Sequence, residues 1–584
     1  MAKQLVECVP NFSEGRDKSV IDNIVKAIAG AGSPSGERVK VLNVDPGEAT
    51  NRTVVTFIGS PDAVCEAAFQ GAKKAQELID MTRHHGAHPR SGATDVLPLV
   101  PVSGITLEEC AVLARGVARR MWEELGIPCY CYEASASRPE HRNLASCRAG
   151  EYEALPEKLA GADTPDFGPD SFHADPAMRT EKEKAQWEVI ARSGASNVGA
   201  RNFLVAVNFN LNTTSTRKAS SVAFDVREKG RKAREGGSLT GKLLKDADGN
   251  QLWIPGTLKG TKAIGWYIDE YGIAQVSMNI TDIAATPLHV AFDEVSAKAQ
   301  ARGLRVTGTE IVGLVPKSVL VDAGRYYLAK QGRSVGVCES EIIKIAVKSM
   351  GLGDLCPFDP RKKVIEYLME DEAEAAARER LIRMSVKGFA EETASESPAP
   401  GGGSVSAVMG AFGAALATMV ANLSAGKRGW DERWEEFSLW AEKGQRVLSR
   451  MLELVDEDTR SFNGIMAAMG LPKGTPEEKE ARARAIEAAT LHAAEVPLET
   501  MKTAMEVFPI ARAMAADGNP NSASDAGVGA LAARAAVRGA LLNVKINAAG
   551  LSDTAAAQRL VSEGEALAKK AEELETEILG LTKL

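Results

Sequence analysis

Between Ser397 and Ala425 the chain carries no charged residue, and Ala, Gly, Ser and Thr fill most of the stretch. A segment this apolar must be covered. Its side chains are too small to fill space alone, so whatever covers it must approach closely, as helices packed through small residues do. It holds too little Leu, Ile and Phe for an ordinary membrane span, which is the lesser alternative. The stretch therefore predicts a core helix in a tight helical bundle. Its surroundings agree. From Glu370 to Leu584 no strand-like alternation appears, and helix formers with mixed charge dominate, as in EALAKKAEELETEILGLTKL.

Upstream of residue 370 the pattern changes. VKVLNVD (Val39–Asp45), TVVTFIG (Thr53–Gly59), DVLPLVPV (Asp95–Val102) and IPCYCYEA (Ile127–Ala134) read as strands. PDAVCEAAFQGAKKAQELI and LEECAVLARGVARRMWEELG read as helices between them, the second ending at Gly126. The alternation resumes with strands at Asn202–Leu211, Lys262–Ile268, Ile273–Asp282 and Arg305–Pro316, and a helix at Leu288–Gly303. Gly161–Gly199, rich in Asp, Pro and Ser, reads as a linker with local structure. The expected fold class is two α/β subdomains, 1–180 and 181–368, then a linker at 369–380 and an all-α helical bundle at 381–584.

Composition sets further bounds. Hydrophobic content of 44% and charged content of 25% are those of a soluble globular protein. A net charge of −8 argues against a general nucleic-acid binder. The eight cysteines form no CxxC pair, which suits reduced thiols in a cytoplasm. MAKQLVECVPNF lacks the apolar core of a secretion signal.

His84, His85 and His88 are three of only seven histidines, and Arg83 and Arg90 flank them. His84 and His88 are four apart, the spacing of two metal ligands on one helix face, but Gly86 and Pro89 break a helix there and no cysteine or HExxH pattern supports a metal. Imidazoles beside fixed positive charge suit proton transfer on an anionic substrate instead. Asp45 ends a strand before Pro46 and Gly47, where a carboxylate can orient an imidazole.

These segments carry a resemblance. LVECVPNFSEGRD (Leu5–Asp17), VDPGEATNRTVVTFIG (Val44–Gly59), LIDMTRHHGAHPRSGATDVLPLVPV (Leu78–Val102), RAGEYEALPEKL (Arg148–Leu159) and PDFGP (Pro165–Pro169) closely resemble glutamate formimidoyltransferase. SPAPGGGSVSA (Ser397–Ala407) and LVDEDTRSFNGIMAAMGLPKGTPEEK (Leu454–Lys479) resemble formimidoyltetrahydrofolate cyclodeaminase. Both occur in this order in the bifunctional formimidoyltransferase-cyclodeaminase family. The resemblance implies transfer of a formimidoyl group from N-formimidoyl-L-glutamate to tetrahydrofolate, a co-substrate that can carry a polyglutamate tail. It implies cyclisation to 5,10-methenyltetrahydrofolate with release of ammonia as the next step. It implies His88 as the catalytic histidine, Asp45 as its partner, and a folate-contacting stretch at Gly168, Pro169, Asp170, Ser171 and Phe172. It also implies a homo-oligomer, and no metal.

An imidazole of near-neutral pKa can take a proton from the attacking folate nitrogen and give one to the departing glutamate nitrogen. Arg52, Arg83 and Arg90 are candidates for gripping carboxylates of glutamate or folate. In the helical part, Asp458 is by resemblance the acid that protonates departing ammonia. Asp456 and Glu457 compete with it, although Asp456 falls on another helix face. Residue patterns alone favour solvated helix charges for all three. Arg484 and Lys473 are candidates for a second folate contact. PAPGGGS (Pro398–Ser404) lacks the Lys-Ser/Thr ending of a phosphate loop, and its glycines suit close packing at a helix start. The basic run Arg227, Lys229, Arg231, Lys232 and Arg234 lies in a segment longer than in animal members of the family, and could hold a polyglutamate tail or simply be an exposed insertion.

Overall fold

The computed structural model describes residues 4–582, except 49, 87–88, 238–240 and 371–378. It divides into two compact units, Met1–Val319 with Met350–Met369, and Leu320–Ser349 with Glu370–Leu584.

In the first unit, seven strands form a mixed sheet: β1 (Leu5–Cys8), β2 (Asn11–Phe12), β3 (Lys40–Gly47), β4 (Arg52–Gly59), β5 (Thr94–Ser103), β6 (Cys129–Glu133) and β7 (Ser196–Ala200). β3 pairs with β4, β1 and β2 both lie between β4 and β5, and β7 and β6 follow in parallel. Strand alternation divides the two faces. Val6, Cys8, Phe57, Leu97 and Leu99 point to one side, where they form a core with Ile24, Ile28, Ala67, Ala72 and Ala114 of the helices Lys18–Gly30, Pro61–Leu78 and Leu107–Leu125. Glu7, Val54, Thr56, Val96 and Pro98 point to the other side.

The expected linker at Gly161–Gly199 is a correction. It contains the helix Glu181–Ser193 and most of β7, an interior strand of the first sheet, so that sheet runs to Ala200 rather than stopping near 180. Thr180 and Glu183 form a reciprocal capping box that starts this helix.

A second, antiparallel sheet follows in the order β11-β12-β8-β13: β8 (Val205–Leu211), β11 (Thr261–Ile268), β12 (Ile273–Ile280) and β13 (Val306–Val312). Between β8 and β11 the chain forms the short pair β9 (Arg231–Lys232) and β10 (Trp253–Ile254). Val207, Phe209, Val276 and Met278 are buried on the side of the helices Thr216–Val226 and Leu288–Gln300. Ala206, Asn279, Thr281 and Val312 face the other way, toward the first sheet.

The helical unit is an alanine-rich bundle of Gly402–Ala425, Trp434–Met469, Pro476–Met505, Val507–Asp517, Ala523–Ala548 and Thr554–Leu581. Length and composition would let Gly402–Ala425 cross a membrane, but 61% of its most apolar window is buried within the bundle. The reason is the predicted one. A Cβ on Gly413 would lie 2.8 Å from the Gly529 carbonyl oxygen, so these two helices touch backbone to backbone. Leu320–Ser349, expected in the second α/β subdomain, groups instead with the bundle. Asn422 donates to the Gly336 carbonyl at 2.9 Å, and the Val335 N–H donates to Ser438 at 3.0 Å.

Two candidate active sites

Between the two sheets of the first unit lies a cavity of about 760 Å³. Its charged lining comes largely from strand ends: Asp45 and Arg52 flank the β3–β4 turn, Glu133 ends β6, Arg201 follows β7 and Lys262 opens β11. Arg148, Glu7 and Glu151 complete it. Burial raises the Asp45 carboxyl above its usual range, Lys363 and Arg52 oppose this, and Glu310 reinforces it. Burial also lowers Arg52 to about 10, with Arg148 acting in the same direction, so Arg52 stays charged at neutral pH. Arg148 pairs with Asp95, which is fully buried and also accepts from the Ser91 N–H at 2.9 Å. Lys262 donates to Asn143 at 3.1 Å. Together these side chains offer several cations for carboxylates and partly desolvated acids for proton traffic.

His88 lies outside the described residues; its neighbour Pro89 lines the cavity. His84 is buried, and its Nε2 lies 3.0 Å from the Asn51 carbonyl. Burial lowers its pKa. Asn51 joins three segments: its amide donates to the His85 carbonyl at 3.0 Å, and its Oδ1 accepts from the Gly15 N–H at 3.1 Å. Gly86 is needed beside it, because a Cβ there would lie 2.3 Å from the Thr50 carbonyl oxygen. Among the described residues, the non-glycine residues at positive φ are Asn51, Glu133 and Glu151, at 48°, 52° and 58°. Glu133 and Glu151 line the cavity, and Asn51 precedes the cavity-lining Arg52.

The remaining sequence candidates sit elsewhere. Arg83 is exposed, 3.9 Å from Asp80, and does not line the cavity. Arg90 is buried and grips two of the protein's own acids, Glu153 at 2.6 and 2.9 Å and Glu151 at 3.1 Å. Gly168, Pro169, Asp170 and Ser171 are not part of the lining, and Phe172 packs in a core cluster against Trp187. The basic run is largely occupied by its own subdomain: Arg227 donates to the Gly230 and Ala263 carbonyls, Lys229 lies over Trp253, Arg231 pairs with Asp225, and Arg234 donates to the Gly241 carbonyl. Sequence reasoning missed Glu7, Glu133, Arg148, Glu151, Arg201 and Lys262 as cavity residues. The strand-end argument used for Asp45 would have found Glu133, whereas Arg201 follows β7, a strand the local pattern does not announce.

The second site belongs to the bundle. Asp458, on the helix Trp434–Met469, accepts from the Ser404 N–H at 2.8 Å and the Ser404 hydroxyl at 3.0 Å. It therefore sits at the positive start of the helix Gly402–Ala425. Gly403 makes this possible: a Cβ there would lie 2.1 Å from the Asp458 Oδ1. Asn543 stands over Gly402, its Nδ2 3.2 Å from where a Cβ would be, and donates to the Gly539 carbonyl at 3.0 Å. Burial raises the Asp458 pKa, against the two Ser404 hydrogen bonds. The expected solvated helix face is thus corrected. Asp456 is buried and accepts from the Leu381 and Ile382 N–H groups, and Glu457 pairs with Arg450 at 3.1 Å. Arg484 is exposed and pairs with Glu480 at 2.9 Å. The glycine turn holds the carboxyl of Asp458.

Fold and sites together define a two-part protein, a twin-sheet α/β unit with a cavity lined by acids and cations, and a helical bundle with a desolvated acid at a helix start. Residues 5–178 match the N-terminal subdomain of the formiminotransferase domain, 206–370 match the formiminotransferase domain, and 385–566 match the formiminotransferase-cyclodeaminase family. The mouse protein named formimidoyltransferase-cyclodeaminase is 40% identical over 551 residues, 94% of this chain and 93% of that one. The glutamate formimidoyltransferase of Streptococcus pyogenes is 40% identical over 329 residues, 56% of this chain and 94% of its own length. A methenyltetrahydrofolate cyclohydrolase of Methylorubrum extorquens is 41% identical over 187 residues, 32% of this chain and 90% of its own length. The chain belongs to the formimidoyltransferase-cyclodeaminase family.

Proposed function

We propose that the two sites run consecutive steps of one-carbon folate chemistry, the cavity as transferase and the bundle as cyclodeaminase. The chain is a bifunctional folate enzyme of histidine degradation, a one-carbon transferase and an ammonia-lyase, with tetrahydrofolate as co-substrate. In the first step N5 of tetrahydrofolate attacks the formimidoyl carbon of N-formimidoyl-L-glutamate and the bond to the glutamate nitrogen breaks. His88 takes the proton from N5 and returns one to the leaving glutamate, and Asp45 steadies the imidazolium. Arg52, with Arg148, Arg201 and Lys262, holds the carboxylates of glutamate and of the folate tail. In the second step N10 attacks the same carbon, and Asp458 protonates the nitrogen that departs as ammonia.

The observation that carries this reading is the pair of distinct acid environments, Asp45 in a cavity lined by both acids and cations and Asp458 desolvated against a glycine turn. The test is the purified chain with N-formimidoylglutamate and tetrahydrofolate, following methenyltetrahydrofolate absorbance and ammonia together. Absence of both from a folded protein overturns it.

Likeness of the bundle to a cyclohydrolase favours a second reading of that unit, in which water adds to the methenyl carbon. Decay of supplied methenyltetrahydrofolate above the uncatalysed rate would support it. We further place the protein in the cytoplasm as a homo-oligomer. All eight cysteines are free, and the bundle leaves Phe412, Leu423, Val528, Leu531, Leu542 and Ile546 exposed.

A further inference from the structure

Glu7 takes part in neither step above. It sits on β1, between β4 and β5, with its side chain on the cavity face, opposite to Val6 and Cys8. Only 4% of it is exposed. No described residue hydrogen-bonds its carboxyl, and Arg201 is the charge that acts on it. Keeping a carboxyl buried without donors is costly. A fold that aims one into a substrate cavity gains when a ligand brings the missing donors.

The two substrates differ in what they bring. N-formimidoylglutamate carries two carboxylates, which Glu7 repels, and an amidine that must lie at the reacting carbon. Tetrahydrofolate carries a 2-amino-4-oxo-pterin ring, whose N3–H and 2-amino N–H point the same way, at the spacing of two carboxylate oxygens. We propose that Glu7 binds this donor edge of the pterin and so sets the orientation of N5 in the cavity. The inference rests on the transferase reading of the cavity.

Strand register supports it. Glu7 pairs with Ile58 of β4 and Asp45 pairs with Val54 of the same strand, so both acids stand on one face, four positions apart along β4. That is about 13 Å along the strand and, across two strand spacings, about 10 Å sideways. A pterin laid with its donor edge on Glu7 directs N5 toward Asp45 and leaves room between them for one proton-carrying side chain. Tyr132 shares this wall. Its ring lies against Gly199, where a Cβ would be 2.6 Å from a ring carbon. Burial pushes the Glu7 carboxyl up to about 7 and Arg201 opposes it, so a ligand that brings two donors adds to Arg201 in favouring the ionised form.

The test uses the full chain, tetrahydrofolate, and its 2-desamino-2-methyl analogue, which lacks the 2-amino donor. Glu7→Gln is expected to raise KM for tetrahydrofolate about tenfold or more, the size of a lost charged hydrogen bond, and to leave KM for N-formimidoylglutamate unchanged. The wild type is expected to discriminate against the analogue, and Glu7→Gln to lose most of that discrimination. An unchanged KM for tetrahydrofolate, or undiminished discrimination, overturns the assignment while transfer itself survives. Absence of formimidoyl transfer in the wild type removes the transferase reading, and this inference with it. If circular dichroism shows Glu7→Gln misfolded, Glu7→Asp, which withdraws the carboxyl by one methylene, decides the matter on the same two readouts.

Discussion

The sheet cavity spreads its charge over many strand ends, whereas the site proposed in the bundle rests on one carboxyl at one helix start. Asp45 answers to burial and to three charges acting through space, Lys363 and Arg52 against the rise and Glu310 with it. Asp458 answers to burial and to a single residue, Ser404. A distributed site loses function by degrees, and a concentrated one loses it at a stroke. The difference follows from the architecture. Sheet edges present many side chains to one space, while close-packed small-residue helices leave room for few.

That contrast can be broken experimentally. Asp458→Asn is expected to slow cyclisation about 10²–10⁴-fold, the usual worth of a general acid, while formimidoyl transfer continues and 5-formimidoyltetrahydrofolate accumulates. Cyclisation at the wild-type rate would show that the bundle, too, distributes its chemistry. Arg148→Ala leaves Asp95 buried without its cation, and urea unfolding of the α/β unit is expected to show a loss of about 3–5 kcal/mol. Glu7 tests the pH side. Burial lifts its carboxyl to about 7, so the folded state holds the proton more tightly than the unfolded chain. Stability of this unit is therefore greatest below pH 4.5, falls as pH rises toward 7, and is lowest above it. At pH 8 Glu7→Gln is expected to stabilise by roughly 3 kcal/mol, and at pH 4 to have little effect; the reverse pH order in thermal melts would refute the sign.

Smaller effects sharpen the comparison. Arg52→Ala is expected to raise KM for one or both substrates about tenfold, since neighbouring cations remain. A loss as steep as that at Asp458 would mean the cavity relies on one cation after all. Ser404→Ala removes a hydrogen bond that holds the Asp458 pKa down, so the alkaline limb of the cyclisation profile is expected to move to higher pH. No movement would mean that the Ser404 N–H alone sets it.

How much of this was legible in the sequence depended on the range of the signal. Local periodicity found β3, β4, β5 and the helices between them, because one face of each is apolar. It missed β7, since SNVGA is short, small and buried on both faces, and so lacks alternation. It also misread Glu181–Ser193, although the capping pair Thr180 and Glu183 was in plain view. Arg90 looked like a substrate grip because nothing local announced Glu151 and Glu153, which stand about sixty positions away. Asp458 looked like a solvated helix charge because the glycine that buries it is 55 residues upstream. Glu7 carried a local clue, one charged position in an otherwise apolar strand.

The left-handed backbone at Asn51, Glu133 and Glu151 has a bearing on engineering. Each holds a side chain in a conformation that costs about 1 kcal/mol or more, and all three border or adjoin the same cavity. Replacing them with glycine relieves that cost, so a screen for heat resistance would be drawn to the rim of the transferase cavity. Hardening the fold there would remove the Asn51 amide that ties the histidine segment in place and the two carboxylates that line the cavity, and the most heat-stable variants are the ones to assay first for lost transfer.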